Sequence, residues 1–332
     1  MSDVNSSSSL APSAVAEHPE SIWVLGSDGS DCAHHAASWA VVHAPGRADT
    51  IRVATAWNIP TVPSLAPMGP SAPSWDVRTV EQAAGASAEA AAVQVRSELG
   101  IDPDAVDPDD AIHVETDVRE GPTSSVLIDA AHETALLVLG SRGLGGFSRL
   151  VLGSTSTQCA THAPVPTVIV PLEAPVRATK RLVVAFDGSD NSMTALRWAI
   201  GFADSDAVID CVTVWDVTPI VVGADQFFFP EASDLARERF DHLVDQVVDE
   251  MAAEQPGVEQ PHIERHFVEG RPRTELSQLA DNADLLVMGA RGHGAIGSAI
   301  LGSVSTWLLH QVQRPMVVVP HPVDHDNVQE GV

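Results

Sequence analysis

The strongest constraint on the fold of this chain is an internal repeat. The first copy contains IWVLGSDGSDCAHHAASWAV at 22–41, and the second contains RLVVAFDGSDNSMTALRWAI at 181–200. Each is a short apolar run followed by Asp-Gly-Ser-Asp and an amphipathic stretch, with Trp39 and Trp198 in matching places. Because 332 residues exceed what one hydrophobic core usually serves, the repeat predicts two domains of the same design.

Short apolar runs and longer amphipathic stretches alternate through five strands in each copy. The runs are rich in Val, Ile and Leu and are too short for helices, as is typical of strands buried on both faces. Long helices are expected at about 77–99 and 231–254, and Pro122 and Pro272 each stand where a helix would begin. The alternation predicts an α/β fold with two tandem, doubly wound, five-stranded parallel sheets and helices on both faces, as in Rossmann-like domains.

The composition along the chain predicts where the domains begin and end. Residues 1–19 are polar and low in complexity, so we expect a disordered tail rather than a secretion signal, which needs a basic start and an apolar centre. The two domains are expected at 20–172 and 181–320, joined by the linker EAPVRATK at 173–180. Residues 321–332 are expected to form a second loose tail.

The charge balance disfavours several classes of partner. A net charge of −27 argues against nucleic acid and anionic membrane surfaces, both of which attract clustered Lys and Arg. No apolar run approaches the roughly 18 residues that span a bilayer. Three widely separated cysteines without a CxxC pair indicate a reducing, cytoplasmic location rather than a disulfide framework. The 14 histidines form neither an HExxH motif nor a Cys/His cluster, so no metal site is expected.

A glycine-rich segment recurs after the fourth predicted strand of each copy, as GSRGLGGFSRLVLGST at 140–155 and GARGHGAIGSAILGSV at 289–304. Gly140 and Gly143 predict a tight turn whose backbone N–H groups are not covered by side chains. Gly153 then precedes a helix start, where unpaired N–H groups and the helix dipole attract anions. The segment therefore predicts a concave site for a polyphosphate at the carboxyl ends of the strands.

Two common phosphate-binding motifs do not account for this segment. A Walker A loop and a kinase strand both need a lysine, whereas the only lysine of the chain, Lys180, lies in the predicted linker. A GxGxxG match occurs at Gly292, Gly294 and Gly297, but Ser148 takes the third position in the first copy. We therefore interpret that match as coincidental.

The pattern that both copies share is G-x2-G-x9-G-[ST] after a fourth strand, with an aspartate at the end of the first strand. It resembles the ATP-binding form of the universal stress protein family, and it occurs at 140–154 and again at 289–303. The resemblance covers roughly residues 20–320 and implies an adenine nucleotide alpha hydrolase-like fold. It also implies ATP as the ligand, with or without Mg²⁺, and one nucleotide in each domain.

The resemblance implies nucleotide-binding residues at matching positions of the two copies. In the first copy these are Gly26, Asp28, Ala56, Gly121, Gly140, Ser141, Arg142, Gly143, Leu144, Gly145, Gly146, Gly153, Ser154 and Thr155. In the second copy these are Ala185, Asp187, Val214, Gly270, Gly289, Ala290, Arg291, Gly292, His293, Gly294, Gly302, Ser303 and Val304. The triphosphate would lie in the glycine-rich loop, and backbone groups around Ala56 and Val214 would contact the adenine. Asp28 and Asp187 would contact ribose, adenine or a bridging Mg²⁺, because a carboxylate repels a triphosphate.

Three glycines, Gly26, Gly121 and Gly270, would leave room near the base, and Ala185 departs from the glycine that its counterpart Gly26 provides. Simpler roles stay open for several of these positions. Glycine at such a turn can serve backbone geometry alone, Asp-Gly-Ser-Asp can serve as a helix cap alone, and the loop arginines can pair with surface acids. The tryptophans that recur at matching positions are interpreted as packing residues: Trp39, Trp57, Trp198 and Trp215.

The loop composition favours binding over catalysis. Efficient ATP hydrolysis needs a placed base and charge stabilisation, whereas the loops offer backbone donors and arginines, with no lysine, carboxylate or glutamine. No catalytic residue is therefore assigned, and the hypothesis is an ATP-dependent regulator in the stress response with at most slow hydrolysis. Two alternatives stay open: a nucleotide hydrolase or adenylyl-transferring enzyme on the same fold, and an assembly module whose sites bind no nucleotide.

The fifth predicted strands, PTVIV and PMVVV, are apolar and lie at a predicted sheet edge. Such an edge tends to aggregate unless another strand pairs with it. In the family that the chain resembles, these edges pair domain with domain. We therefore expect the two halves to dock within the chain and whole chains to form a homodimer through fifth-strand edges. The protein partner is not identified by the sequence.

Overall fold

The computed structural model describes residues 21–59, 76–101, 112–144, 152–216, 220–222, 225–227, 230–292, 301–311 and 313–321. The first half contains β1 (Ile22–Gly26), α1 (Asp31–His43), β2 (Thr50–Trp57), α2 (Val77–Glu98), β3 (His113–Glu120), α3 (Thr123–Ala130), β4 (Leu136–Gly140), α4 (Ser154–His162) and β5 (Thr167–Val170). The second half contains β6 (Arg181–Ala185), α5 (Asp190–Phe202), β7 (Val208–Trp215), β8 (Ile220–Val222), β9 (Asp225–Phe227), α6 (Pro230–Glu254), β10 (His262–Glu269), α7 (Pro272–Ala280), β11 (Leu285–Gly289), α8 (Ser303–Leu309) and β12 (Met316–Val319). The predicted tail at 1–19 and nearly all of the one at 321–332 lie outside the described residues.

The main strands of each half form the parallel five-stranded sheet that the alternation predicted. Their order is β3-β2-β1-β4-β5 in the first half and β10-β7-β6-β11-β12 in the second. The register is also equivalent, since Ile22 lies opposite Thr50 and Arg181 lies opposite Val208. In both halves the strand order reverses between the first and fourth strands, which is the switch point where open α/β sheets form a crevice.

The two sheets are joined along their fifth strands. β5 and β12 pair antiparallel, with Ile169 opposite Met316 and Thr167 opposite Val318, and this pairing makes one ten-stranded sheet. The docking of the two halves was expected. The predicted homodimer through fifth-strand edges is wrong, because each fifth strand already pairs with a strand on both sides within the chain. A dimer of whole chains would have to use another surface.

Helices cover both faces of the sheet, as predicted. α1, α2, α5 and α6 pack on one face around residues such as Trp39 and Leu196, and α3, α4, α7 and α8 pack on the other around residues such as Leu127 and Leu308. Each of these four side chains is at most 3% exposed, and burial of one leucine contributes about 1.5–3 kcal/mol. In the described part of the chain, no helix combines the length and the apolar character that crossing a membrane requires.

The halves also meet through an aromatic stack. The rings of Trp39 and His43 in α1 stack with centroids 4.1 Å apart. Phe202 of α5 stacks on Trp198 at 4.7 Å and on Trp39 at 6.2 Å. His43 is buried, with Nδ1 lying 2.8 Å from the Trp39 carbonyl oxygen and Nε2 lying 2.9 Å from the Thr179 hydroxyl. Trp39 and Trp198 therefore have the packing role that was predicted for them.

Asp284 holds the segment between the halves against the second half. Its Oδ2 accepts the backbone N–H groups of Lys180 at 2.9 Å and Arg181 at 3.0 Å, and its Oδ1 accepts a hydrogen bond from Arg177 at 2.8 Å. Burial raises the pKa of Asp284, but these hydrogen bonds outweigh it and leave the pKa below its usual value. Lys180 also pairs with Asp206 at the surface, at 2.7 Å.

The buried imidazole makes a pH-dependent contribution to stability. Burial lowers the pKa of His43, against a smaller opposing effect of its hydrogen bond to Trp39. The unfolded chain, in which a histidine has a pKa of about 6.5, therefore binds the proton more readily, and stability falls as the pH drops below that value. We expect His43→Gln, which keeps a donor and an acceptor without titrating, to flatten this fall. Urea unfolding between about pH 7.5 and 5.5 measures the difference, at about 1.4 kcal/mol per unit of pKa lowering.

The matched control is His132→Gln, because His132 is exposed. This variant should keep the pH dependence of the wild-type chain. An identical loss of stability in the wild type and in His43→Gln would contradict the role given to the buried ring.

Candidate functional site

The predicted glycine-rich loops leave the sheet at its switch points. β4 ends at Gly140 and β11 ends at Gly289, each beside the first strand of its own half. Because these neighbouring strands are parallel, the Asp-Gly-Ser-Asp turns leave β1 and β6 at the same edge. Each half thus brings one loop and one turn together at the carboxyl ends of its strands.

The first glycine of each loop is required by a close approach of a helix backbone. A Cβ at Gly140 would lie 2.6 Å from the carbonyl carbon and oxygen of Cys32 in α1. A Cβ at Gly289 would lie 2.9 Å from the same atoms of Asn191 in α5. Non-bonded carbon atoms prefer about 3.5–4.0 Å, so any side chain would push the helix away. These glycines serve backbone geometry, and that geometry lets a helix start pack against the loop.

The aspartate of the first-half turn reaches across to the loop. Asp28 Oδ1 accepts a hydrogen bond from the N–H of Ser30 at 3.0 Å, within the turn. Its Oδ2 accepts one from the backbone N–H of Leu144 at 2.9 Å, in the loop. A Cβ at Gly143 would overlap this same oxygen, so the loop backbone can pass the carboxylate only without a side chain.

The second half repeats this arrangement. Asp187 Oδ1 accepts the N–H of Ser189 at 3.0 Å, and a Cβ at Gly292 would overlap Asp187 Oδ2. The serine of each turn is a helix cap, because Ser30 and Ser189 each accept a backbone N–H from the first turn of the helix that follows. The Asp-Gly-Ser-Asp turn therefore caps a helix with its serine and approaches the loop with its first aspartate.

The helix that follows each loop starts without a side-chain cap. α4 begins at Ser154 and α8 begins at Ser303, and neither receives a capping hydrogen bond from the preceding glycine. The N–H of Gly153 donates to the Ser141 carbonyl at 2.8 Å and closes the loop. The first N–H groups of a helix have no intrahelical acceptor, and an anion placed there supplies one.

A cavity of about 670 Å³ opens at this edge in the second half. Apolar side chains from β7, α7 and β11 form part of its wall, among them Val212, Leu276 and Met288. The turn and the loop contribute polar groups, among them Asp187 and Arg291. This volume and this mixture of an apolar wall with few polar groups are typical of small-molecule sites.

The structure gathers most of the second-copy residues that the sequence singled out. The predicted residues that line the cavity are Ala185, Asp187, Val214, Gly289, Arg291, Gly292, Gly302, Ser303 and Val304. Gly270 and Ala290 are not part of the cavity wall. A Cβ at Gly270, whose φ is 159°, would meet the Glu275 side chain at 2.7 Å, and the N–H of the buried Ala290 donates to the Val319 carbonyl.

In the first half the predicted residues lie at the same edge. Those at the ends of β2, β3 and β4 or at the start of α4 are Ala56, Gly121, Ser141, Arg142, Gly153, Ser154 and Thr155. The prediction that Gly26 leaves open space near a base is wrong. A Cβ at Gly26 would overlap the Leu139 side chain and crowd Leu127, so protein side chains already fill this space. The predicted residues outside the described part of the chain are Gly145, Gly146, His293 and Gly294.

Several lining residues were missed by the sequence analysis. They are Phe186, Ser192, Val212, Pro272, Leu276, Met288, Leu301 and Ser305. A signal existed for some of them. Val212 precedes Val214 by two positions on one strand, so both point to the same face, and Leu276 follows Pro272 by about one helical turn.

Cys159 and Cys211 offer no reactive thiol to this site. Cys32, Cys159 and Cys211 are all buried and free. Burial raises the pKa of the Cys159 thiol to about 12, and it also raises the pKa of Cys211. Because the thiolate is the nucleophile, thiols held neutral in this way are inert.

The fold and the site define a tandem, doubly wound α/β protein with a strand-end cavity built from a glycine-rich loop. The model of the universal stress protein family matches residues 23–171 and 178–320, so the chain belongs to this family and carries its domain twice.

Two relatives illustrate the range of similarity. Universal stress protein Rv1996 of Mycobacterium tuberculosis is 28% identical over 310 residues, which cover 91% of this chain and 95% of that protein. Universal stress protein MJ0531 of Methanocaldococcus jannaschii is 32% identical over 146 residues, covering 43% of this chain and 83% of that protein. The crystal structure of a universal stress protein from Archaeoglobus fulgidus covers 91% of this chain and 99% of its own, with a TM-score of 0.62 and 20% identity. It supports the fold.

The close approach at the fourth-strand glycines predicts a stability cost. Gly140→Ala and Gly289→Ala should each lower the free energy of unfolding by about 1–3 kcal/mol, the usual cost of overpacking. Chemical denaturation measures this change. The control is Gly85→Ala in α2, where no heavy atom would lie within 4 Å of the new Cβ and alanine is favoured in a helix interior by up to about 1 kcal/mol. Equal stabilities of Gly85→Ala and Gly140→Ala would show that the helix yields without cost.

Proposed function

We propose that this universal stress protein binds ATP, with or without Mg²⁺, at the strand ends of each half, and that nucleotide binding regulates its role in the stress response. Hydrolysis is at most slow. The observation that carries the proposal is the second-half cavity, whose wall combines an apolar surface with a glycine-rich loop and an uncapped helix start. A nucleotide has the same division between a flat, weakly polar base and a chain of phosphates.

The phosphate end relies on the backbone. Gly292 and Gly302 line the cavity and carry no side chain over their peptide groups, and Arg291 is the one basic residue among the described lining residues. Lys180 does not line the cavity, and it pairs instead with Asp206 at the surface of the interdomain segment. In a chain with a net charge of −27, local N–H dipoles and one guanidinium must attract the anion against an unfavourable overall field.

The base end is apolar. Val212 and Val214 come from one face of β7, and Leu276 and Met288 approach from α7 and β11. Branched and thioether side chains pack well against a flat ring, and sulfur makes favourable contacts with aromatic edges. The wall therefore supports a purine, whose burial supplies affinity while the phosphates supply orientation.

Asp187 fits a partner other than phosphate. It lines the cavity, and its Oδ1 is already held by the N–H and the hydroxyl of Ser189. A carboxylate repels phosphate oxygens, whereas it accepts hydrogen bonds from ribose hydroxyl groups and coordinates Mg²⁺. No chemical step is assigned to Asp187, since the described lining residues place no lysine or glutamine beside it.

Two further features support the cellular setting that we propose. Three buried, free cysteines suit a reducing compartment, which fits a cytoplasmic protein. The strongly negative net charge favours small nucleotides bound in a shielded cavity over nucleic acid bound across a surface.

Nucleotide binding is tested by isothermal titration calorimetry with ATP, ADP and AMP. Gly292→Ala should weaken ATP binding to the second-half site by about tenfold or more, close to 1.4 kcal/mol, because the new Cβ displaces the loop from Asp187. Gly143→Ala should do the same for the first-half site, which separates the two. Gly85→Ala is the matched control and should bind like the wild type. If ATP neither releases heat nor raises the melting temperature, the assembly-module alternative is correct.

Turnover separates the regulator from the enzyme alternative. Phosphate release from ATP should stay far below the rates of about 1 s⁻¹ and above that are typical of enzymes. Asp187→Asn should weaken ATP binding, and its phosphate release at saturating ATP should also stay far below those rates, since the aspartate is not assigned a chemical step. Rapid turnover that Asp187→Asn abolishes would identify a nucleotide hydrolase instead.

A further inference from the structure

Three residues on one face of the second-half sheet bring metal-ligating atoms together. Asp210 lies on β7, and Glu264 and His266 lie on β10. One ligand atom from each lies within 4.8 Å of the others. The strand register explains the grouping: Asp210 is directly opposite Glu264, and residues two apart on a strand share a face, which puts His266 beside them.

The separations between these atoms suit a bound ion. His266 Nε2 lies 2.8 Å from Asp210 Oδ1 and 3.7 Å from Glu264 Oε2. Ligand atoms held at zinc distances in a tetrahedron stand about 3.4 Å apart. The 2.8 Å contact is a hydrogen bond, so ion binding requires rotations that move His266 and Asp210 apart by roughly 0.6 Å, and it leaves a fourth position for water.

The three side chains differ in burial, with one buried in the protein and two partly exposed to solvent. The side chain of Asp210 is 4% exposed, whereas those of His266 and Glu264 are 34% and 41% exposed. An ion can reach the group from solvent, and the outer two ligands can adjust to it.

We propose that Asp210, Glu264 and His266 form a binding site for a divalent transition metal of the zinc class. An imidazole nitrogen with two carboxylates is a donor set that zinc accepts, whereas calcium and magnesium prefer oxygen ligands throughout. None of its three residues lines the cavity, so ion binding is proposed separately from nucleotide binding.

Arg181 is the group with which the ion competes. Its Nε lies 2.6 Å from Asp210 Oδ2, and its Nη2 lies 2.7 Å from Asp210 Oδ1 and 3.3 Å from Glu264 Oε2. Nη2 lies between the two carboxylates, so the ion must displace this nitrogen from Asp210 Oδ1, while Nε keeps its contact with Oδ2. The positive charge of Arg181 also opposes a cation a few ångströms away. Removal of this charge is therefore expected to tighten metal binding.

The first half does not have the same donor set. By strand register, Arg52 takes the position of Asp210, Glu115 that of Glu264 and Asp117 that of His266. Arg52 pairs with Glu115, so a guanidinium occupies the place of the central carboxylate. The repeat thus confines the site to the second half and provides Glu115→Gln as a matched control.

The experiment is a titration of the full chain, stripped with a chelator and free of nucleotide. Zn²⁺ is measured in competition with a chromophoric chelator, and Co²⁺ is measured by its visible absorption. The wild type should bind one ion through this site. His266→Ala and Glu264→Gln should each weaken that binding by about tenfold or more, and Glu115→Gln should not change it. Arg181→Gln should tighten it by about threefold or more.

Circular dichroism and urea unfolding confirm that each variant is folded before its affinity is compared. His266 and Glu264 are partly exposed, so both variants should fold. Zn²⁺ binding that is unchanged in His266→Ala would place the ion on other histidines and overturn the proposal. Absence of saturable Zn²⁺ binding in both the wild type and Arg181→Gln would show that the cluster is an ion-pair network only.

Discussion

The candidate site depends on one steric constraint. In each half, the end of the fourth strand closely approaches the helix that follows the first strand. At Gly140 and Gly289 an added Cβ would lie 2.6 and 2.9 Å from helix backbone atoms, and at Gly143 and Gly292 it would overlap an aspartate oxygen. These contacts leave room for glycine alone. They hold the loop against the Asp-Gly-Ser-Asp turn, so the edge of each sheet exposes peptide groups where another sequence would place side chains.

Duplication sets this constraint twice within a single sheet. The antiparallel contact between β5 and β12 joins the halves, and the stack of Trp39, His43 and Phe202 supports the joint on one face. The copies are nevertheless unequal. Gly26 admits Leu139 in the first half, whereas its counterpart Ala185 lines a cavity in the second. Ala185, which the sequence analysis noted as a departure from Gly26, therefore lies at the cavity of the second half. This difference gives the two halves unequal surroundings for a nucleotide.

Features set by local pattern were predictable, and features set by register or by packing across the sheet were not. Period and composition predicted helices at 77–99 and 231–254, close to Val77–Glu98 and Pro230–Glu254. The cavity-lining positions of Leu276 and Met288 depend on how α7 meets β11, which no single segment encodes. Asp210 and His266 are distant in sequence, and only the pairing of β7 with β10 brings them together. The fifth-strand edges were recognised as needing a partner, but their apolar sequence does not say whether that partner is in the same chain.

The central claim is that backbone amides and a helix start at each strand edge hold the phosphates of an adenine nucleotide. The most direct test is a crystal structure of the chain grown with Mg²⁺ and ATP. We expect electron density for phosphates within hydrogen-bonding distance of the backbone N–H groups of Gly292 and Ser303, with the adenine against Val212 and Met288. A loop without nucleotide at saturating ATP, with side chains filling the cavity, would contradict it.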